Sequence, residues 1–401
     1  MANPLLITFV VLVLAYILGE IFRYFGLPRV VGQILAGIIL GLPMIKSMLF
    51  TNEILSVFSF ITNIGIILLF FFIGLEINVK QFRKNFKESS LIAIFNTIIP
   101  LISGFLAGKL LFGLNNVTSL IIGISISVSS QAISLDILEE LKLLKSKIGN
   151  LIIDSGTVDD VFELLLISSI LIVFHSATIG QFSFQKLMLG VIIFALIVIL
   201  FRVSLIPFAL RVFERDKSQS NLFMGALIIV LSMAFLSELF GISSLIGALI
   251  AGILVRQTLV TGEERKPWRK NEISHSIHII SFGFLIPIFF VNVGLSTDIF
   301  SLSTNLPLVI VLVVLDIFGT LAGTVIGVLL SKGTFREGLI VGWGVVPKGD
   351  TELVIATLAL NSGLIDIGIF TAIITVALFS TFIAPIIFKS LIRKHAKVNA
   401  S

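Results

Sequence analysis

The chain has 401 residues, of which 57% are hydrophobic and 13% charged, against about 25% charged residues in an ordinary soluble domain. This composition, with a mean hydropathy of +1.13, excludes a soluble globular protein and indicates a chain that lies in lipid. The formal net charge of +5 does not indicate a nucleic-acid partner, because the basic residues fall in short runs between apolar segments. No cysteine is present and the four histidines have no metal-ligand spacing, so we expect no cofactor and no disulfide.

Apolar segments long enough to cross a membrane recur along the whole sequence. About 20 apolar residues span a bilayer, and a window of that length finds about 13 candidates separated by polar or Gly- and Pro-containing turns. We therefore predict an all-α polytopic membrane protein. The first segment lacks a preceding basic residue and a cleavage pattern, so we interpret it as a span and not as a signal peptide. The candidates begin near Pro4, Pro28, Ile54, Ser90, Val117, Ile148, Phe184, Ser220, Ile242, Ile277, Pro307, Gly338 and Ile365.

The basic residues predict the orientation of these spans. Most of the Lys and Arg residues follow odd-numbered spans, as in the clusters at 80–87, 142–147 and 389–397. Because short cytoplasmic loops carry the excess of Lys and Arg, we expect the N-terminus outside and the C-terminus in the cytoplasm. The location is then the inner or plasma membrane, with lipid as a partner.

Two pairs of similar segments indicate an internal repeat. Residues 32–38 (GQILAGI) resemble 247–253 (GALIAGI), and residues 70–75 (FFFIGL) resemble 289–295 (FFVNVGL). Each pair lies seven spans apart, so its members cross the membrane in opposite directions. Glycine-rich patterns also serve plain helix packing, but two matches at nearly constant offset favour an inverted-topology repeat, which is typical of secondary transporters.

The fifth and twelfth spans occupy equivalent places in the two copies, and both are interrupted. Residues 125–131 (SISVSSQ) form a polar run at membrane depth, and residues 342–350 (GWGVVPKGD) combine glycine, proline and charge. Non-helical backbone at that depth is tolerated only where it is buried in protein or faces water. We therefore predict two crossed discontinuous helices whose ends face a bound ion.

The sixth span carries the acidic residues Asp154, Asp159, Asp160 and Glu163. Each carboxylate at the bilayer centre costs about 2.5 to 3.5 kcal/mol on insertion scales, so the cluster requires a compensating environment. An interfacial helix with solvated acids is the alternative, but the remaining apolar stretch is too short to span. At about 100° per residue, three of these acids, Asp159, Asp160 and Glu163, can face one cavity.

Such a cluster predicts cation exchange. A hard monovalent cation and a proton compete for the same carboxylate oxygens of Asp159 and Asp160, and this competition amounts to antiport. Ser129, Ser130 and Gln131 of the opened fifth span complete an oxygen shell around the cation. The sequence contains no phosphate-binding loop, nucleotide-binding fingerprint or catalytic triad, so we expect a transporter and not an enzyme.

With these motifs the chain resembles the monovalent cation:proton antiporter-2 family of the sodium/proton exchanger superfamily over nearly its whole length. The similar segments are 18–20, 26–32, 74–76, 129–132, 159–161, 247–252 and 289–295.

The resemblance implies a single membrane domain over residues 1–401 that forms a homodimer and carries ions by an elevator movement. Within it, residues 1–87 and 219–300 would form the dimerisation scaffold and residues 88–178 and 304–394 the ion-carrying core, joined by a linker helix at 180–215. The resemblance also assigns the essential ion-binding pair to Asp159 and Asp160, with Asp160 as the direct cation ligand. The implied role is sodium or potassium transport and pH homeostasis.

Three residues depart from the family pattern. Asp316 stands in the eleventh span where many relatives have lysine, Gln131 stands in place of threonine, and Glu163 in place of a small residue. Our hypothesis is that Asp316 joins the ion or proton site; its alternative role is to bond a serine or an N–H of a broken helix. Lys348 is expected to compensate charge in the core, with interfacial snorkelling or pairing with Asp350 and Glu352 as alternatives.

Na+ is the expected cation and K+ the second candidate. The rival functions are an ion-responsive membrane sensor or channel, and a sodium-coupled carrier of an organic solute with the same fold.

Overall fold

The computed structural model describes residues 3–76, 86–144, 146–156, 158–159, 162, 166, 184–208, 219–240, 242–261 and 267–400, and all regular secondary structure in these residues is helical. The helices, numbered in chain order, are α1 (Pro4–Tyr24), α2 (Arg29–Leu40), α3 (Pro43–Leu49), α4 (Asn52–Glu76), α5 (Phe86–Leu106), α6 (Asn116–Ser127), α7 (Ala132–Glu140), α8 (147–156), α9 (Phe184–Leu200), α10 (Gln219–Leu239), α11 (Ser244–Thr261), α12 (Pro267–Ile280), α13 (Ile286–Ser296), α14 (Leu302–Leu330), α15 (Phe335–Val345), α16 (Asp350–Asn361) and α17 (Ile367–Ala400). Short π-helical turns follow α5, α9 and α12, at Ala107–Leu111, Phe201–Leu205 and Ser281–Leu285.

Eight helices in the described residues are long and apolar enough to cross a membrane, or nine if α2 and α3, which meet at a bend of 81°, form one span. The eight coincide with the predicted spans one, three, four, seven, eight, ten, eleven and thirteen. The chain is therefore a multi-pass membrane protein. The other predicted spans fall on shorter or interrupted helices, or partly outside the described residues, so the count of 13 stays a prediction.

Local sequence signals begin and end several helices. The chain leaves α1 through Gly26, whose φ of +75° is a conformation that favours glycine. The Asn115 side chain accepts a hydrogen bond from the Thr118 N–H and caps α6. Thr334 and Glu337 form a reciprocal capping box that starts α15.

The chain divides into two compact units, of which the first comprises Met1–Leu12, Met48–Asn78 and Ile167–Asn292. In this unit α4 packs against α11, and α11 packs against α10. Arg256 donates a hydrogen bond to the carbonyl oxygen of Leu75 at 2.8 Å, and Ser274 donates to the Glu76 carboxylate at 2.7 Å. Both bonds hold the C-terminal end of α4.

The second unit comprises Val13–Ser47, Val79–Leu166 and Val293–Ser401, and it contains most of the predicted site. Here α5 packs along α14 and against α6, and α14 also packs against α15 and α17. Asp316, Thr320 and Thr324 are buried on α14 at intervals of four residues, so they share one face of the helix. This polar face points into the unit.

The two copies of the proposed repeat make equivalent close contacts. In the first unit, a Cβ on Gly74 would collide with the carbonyl oxygen of Leu249 in α11. In the second unit, a Cβ on Gly294 would collide with the carbonyl oxygen of Ile34 in α2. Ile34 and Leu249 are the third residues of the two similar segments, 32–38 and 247–253. Glycine at residues 74 and 294 therefore allows the same backbone approach at two equivalent contacts between the copies.

Candidate functional site

Asp159 is buried in the second unit, with 3% of its surface exposed, and three polar side chains surround its carboxylate. Ser129 donates a hydrogen bond to Oδ2 at 2.5 Å, and Asn96 donates to the same oxygen at 3.1 Å. Thr97 donates to Oδ1 at 2.6 Å. These partners are neutral. Hydroxyl and amide groups therefore stabilise the buried carboxylate, which has no direct ion pair among the described residues.

Asn96 and Thr97 were missed by the sequence reasoning. They are adjacent on α5, and Thr324 on α14 donates to Asn96 Oδ1 at 3.2 Å, so the close packing of α5 on α14 orients the amide towards Asp159. The sequence does contain a signal for this pair: an Asn-Thr dipeptide stands in the middle of an otherwise apolar span. Polar residues in a membrane span mark functional sites by default.

The predicted interruptions lie where helices end. Helix α6 ends at Ser127 and α7 begins at Ala132, while α15 ends at Val345 and α16 begins at Asp350. The two opened segments are joined by a hydrogen bond of 2.7 Å from the Ser130 backbone N–H to the carbonyl oxygen of Pro347.

Ser129, Ser130 and Gln131 thus lie in one short non-helical segment. Of these three, Ser129 has a hydrogen bond to Asp159. The Gln131 side-chain amide lies where a Cβ on Gly156 of α8 would stand, so glycine at position 156 makes room for it.

Lys348 lies in the second opened segment, and its ammonium group is fully satisfied. Its Nζ donates to the carbonyl oxygens of Ile126 and Val128, both at 2.7 Å, at the C-terminal end of α6. It also lies 2.8 Å from Asp316 Oδ1, with neither side chain exposed. Ser380 donates a hydrogen bond to the other Asp316 oxygen. The lysine therefore has three partners for its three N–H groups, and one of them is a full negative charge.

The charge of Lys348 acts on more than its direct partner. It interacts electrostatically with Asp159 and Glu352 as well as with Asp316. Glu352 is fully buried on the first turn of α16, and neither of its carboxyl oxygens has a hydrogen-bond partner among the described residues. The three buried carboxyl groups of Asp159, Asp316 and Glu352 thus share the charge of Lys348.

Two predicted site residues, Asp160 and Glu163, lie outside the described residues. The structure brings Asp159 together with Ser129, and Asp316 together with Lys348. Asp316 thus has the bond to a serine that the alternative interpretation expected, and its membership of the ion or proton site stays a prediction.

Two carboxylates of this unit lie outside the spans and have lowered pKa values. A hydrogen bond from Lys389 and the charge of the same lysine hold the pKa of the exposed Glu140 below its usual value. Partial burial raises the pKa of Glu337, but hydrogen bonds from Lys147 and Thr334 and the Lys147 charge outweigh burial and lower it overall. The Lys147 Nζ lies 2.6 Å from the Glu337 carboxylate.

A comparison with known proteins identifies the family. Residues 9–394 match the family described as "Sodium/hydrogen exchanger, transmembrane". The chain belongs to this sodium/hydrogen exchanger family. The predicted membership of the sodium/proton exchanger superfamily is therefore confirmed.

Individual relatives cover nearly all of the exchanger. It is 31% identical over 384 residues to the Na(+)/H(+) antiporter of Enterococcus hirae, with 96% of this chain and 97% of the relative covered. It is 27% identical over 369 residues to the Na(+)/H(+)-K(+) antiporter GerN of Bacillus cereus, with 92% and 90% covered. The solved structure of the sodium proton antiporter MjNhaP1 from Methanocaldococcus jannaschii superposes with a TM-score of 0.67 at 15% identity and covers 97% of each chain. This last similarity establishes that the exchanger shares the antiporter fold.

Proposed function

We propose that the exchanger is a secondary active transporter that exchanges a monovalent cation for protons, with both substrates competing for the carboxylates of Asp159 and Asp160. The observation that carries this proposal is the environment of Asp159, a buried carboxylate held by two hydroxyl groups and an amide. Family membership and the antiporter names of relatives along nearly the whole chain support the same function. A transporter agrees with the expectation that the chain is not an enzyme.

The chemistry of these groups suits a hard cation. Carboxylate and hydroxyl oxygens are the donors that such cations prefer. The hydroxyls of Ser129 and Thr97 now donate to Asp159; when a cation binds there, they can rotate and present lone pairs to it. A proton on the carboxylate removes the negative charge that attracts the cation, so each substrate displaces the other. Ser130, Gln131 and Glu163 remain proposed members of this oxygen shell.

Lys348 is proposed to compensate charge in the ion-carrying core. Its ammonium neutralises Asp316 and the partial negative charge at the C-terminal end of α6. Because Asp316 already binds Lys348 and Ser380, we assign it to charge compensation and to proton binding.

The finer architecture is also proposed. The helix breaks at 128–131 and 346–349, linked by the Ser130–Pro347 hydrogen bond, support two crossed discontinuous helices. The equivalent contacts of Gly74 and Gly294 support an inverted repeat. With about 13 spans, this architecture would act as an elevator in a homodimer, with the scaffold, core and linker bounds predicted above, the N-terminus outside and the C-terminus in the cytoplasm.

Na+ is the proposed cation, and K+ is the second candidate because the name of the relative GerN includes both. The same oxygen donors serve Na+, K+ and Li+, and cavity size and ligand number decide among them. The cation must therefore be identified by transport.

The test uses proteoliposomes that enclose a pH-sensitive dye and receive Na+, K+ or Li+. We expect the wild type to move protons in response to Na+, and Asp159→Asn and Asp160→Asn to abolish the response. Asp298→Asn is the matched control, because the exposed Asp298 side chain accepts a hydrogen bond from the Phe300 N–H and asparagine caps equally well. If the wild type responds to none of the cations, the sensor, channel or organic-solute alternatives replace this proposal.

A further inference from the structure

Glu352 is a buried acidic side chain without a hydrogen-bond partner among the described residues. Its exposed fraction is 0%, and neither carboxyl oxygen accepts a hydrogen bond from the described residues. Asp159 and Asp316, by comparison, each have hydrogen-bonded or ion-paired oxygens. Burying a carboxylate without a hydrogen bond or ion pair is unfavourable, whereas a protonated carboxyl group carries no charge to desolvate. This environment favours the protonated form of Glu352 in this conformation.

Among the described residues, Lys348 is the one cation that acts on Glu352. Lys348 and Asp316 are the titratable groups that act on it electrostatically, and the Lys348 ammonium is already taken by Asp316 and two carbonyl oxygens. Helix α16 packs against α6, which has no titratable residue, and against α17. The titratable residues of α17 begin at Lys389, about two turns beyond Thr381, which bonds the Lys348 backbone.

Glu352 also lies next to the non-helical segment between α15 and α16. It is on the first turn of α16, immediately after the non-helical residues 346–349 that contain Lys348. Broken helices of this kind line the substrate site in transporters and change their surroundings during alternating access. A rearrangement of this segment would bring water or Lys348 to the Glu352 carboxyl group and allow it to ionise.

We propose that Glu352 is a further proton-carrying residue of the exchanger, which releases its proton to one side of the membrane and takes one from the other side in each cycle. No bond other than the carboxyl O–H breaks or forms, and water receives and supplies the proton. This inference rests on the proposed cation/proton exchange. It adds one proton per cycle to those exchanged at Asp159 and Asp160.

The test measures how many protons accompany each cation in proteoliposomes. Equal concentrations of the membrane-permeant anion thiocyanate on both sides hold the membrane potential near zero, a fixed pH difference is imposed, and the Na+ gradient is varied until the enclosed dye reports no net proton flux. For each proton exchanged per cation, one pH unit balances about a tenfold Na+ gradient. A tenfold concentration ratio of either ion corresponds to about 1.4 kcal/mol. We therefore expect the balancing gradient per pH unit to be about tenfold smaller in Glu352→Gln than in the wild type.

Glutamine keeps the size of the side chain and resembles the protonated acid, so the variant should fold. Glu352→Asp keeps a carboxyl group and should balance as the wild type does, and Glu53→Gln, at an exposed position in the first turn of α4, should also leave the balance unchanged. An equal balancing gradient in the wild type and Glu352→Gln would overturn the inference while leaving cation/proton exchange intact. A wild type without exchange would instead refute the proposed function.

A second measurement applies if Glu352→Gln transports too slowly to balance. Infrared difference spectra of the purified protein, recorded on adding Na+, should show a larger loss of protonated-carboxyl C=O absorbance in the wild type than in Glu352→Gln, in which only the other site carboxyl groups can lose protons. Equal losses in the two proteins would contradict the proposal.

Discussion

The Lys348 ammonium lies 2.8 Å from Asp316 Oδ1, and both side chains are wholly shielded from solvent. The two residues come from different elements, since Asp316 is on α14 and Lys348 is in the opened segment between α15 and α16. The same ammonium holds the carbonyl oxygens of Ile126 and Val128, so one side chain connects three elements of the second unit.

Breaking this pair on one side should destabilise the exchanger strongly. Lys348→Met and Asp316→Asn should each cost about 3–5 kcal/mol, because each leaves a buried charge without its partner. The double variant should lose less than the two single losses combined. Thermal unfolding of the purified proteins in detergent would measure the three changes. Additive losses would mean that the two charges do not stabilise each other.

Removing a hydroxyl from the Asp159 site should weaken cation binding. Thr97→Val deletes the 2.6 Å hydrogen bond to Oδ1, and a bond to a charged group contributes about 1.5–3 kcal/mol. We expect the apparent KM for Na+ to rise about tenfold or more, since 1.4 kcal/mol is tenfold in affinity.

Thr357→Val is the control for Thr97→Val. Thr357 is an equally buried threonine whose hydroxyl donates to the Leu353 carbonyl oxygen and not to Asp159. Its KM for Na+ should match that of the wild type. Equal KM values in Thr97→Val and Thr357→Val would remove Thr97 from the ion site.

Glu337 should make stability depend on pH at the start of α15. Its pKa is lower in the folded chain than in the unfolded one, so the charged form stabilises the fold at neutral pH, and this contribution is lost as the pH falls through the folded-state pKa. Glu337→Gln keeps the capping geometry but loses the charge facing Lys147. It should lower stability by up to about 1 kcal/mol at neutral pH and by nothing at acidic pH.

Thermal unfolding of wild type and Glu337→Gln across the acidic to neutral range would check this expectation. Glu53→Gln, at an exposed site, is the control. Its difference in stability from the wild type should not change in this way with pH. A difference between wild type and Glu337→Gln that persists at acidic pH would assign the effect to packing and not to charge.

The repeat predicts matched effects of two distant substitutions. Gly74→Ala and Gly294→Ala would each push a methyl group into a carbonyl oxygen of the facing helix, and overpacking of this kind costs about 1–3 kcal/mol. Gly283→Ala is the control, because nothing lies within 4 Å of a Cβ there. We expect similar losses of thermal stability for the first two and little change for the third. A large loss in only one of the pair would argue against equivalent packing in the two copies.

Much of the fold was predictable because its signals are local. Eight apolar segments were placed correctly, since hydropathy over about 20 residues decides whether a segment lies in lipid. The breaks near residues 128–131 and 346–349 were also predictable, because serine runs, glycine and proline act on the backbone where they stand. Family membership followed from several short motifs taken together.

The sequence by itself determined the membrane class, the places where helices break and the buried acidic residue Asp159. The tertiary structure decided which side chains meet. Thr97 and Asp159 are 62 residues apart in the chain, and Thr324 and Asn96 are 228 apart. The same holds for Lys348, which pairs with Asp316 and leaves Glu352 without a hydrogen-bond partner among the described residues. Hydrophobic burial acts on each segment separately, whereas a hydrogen bond needs two groups within about 3 Å; only the packing of α5, α14 and the opened segments brings such groups together.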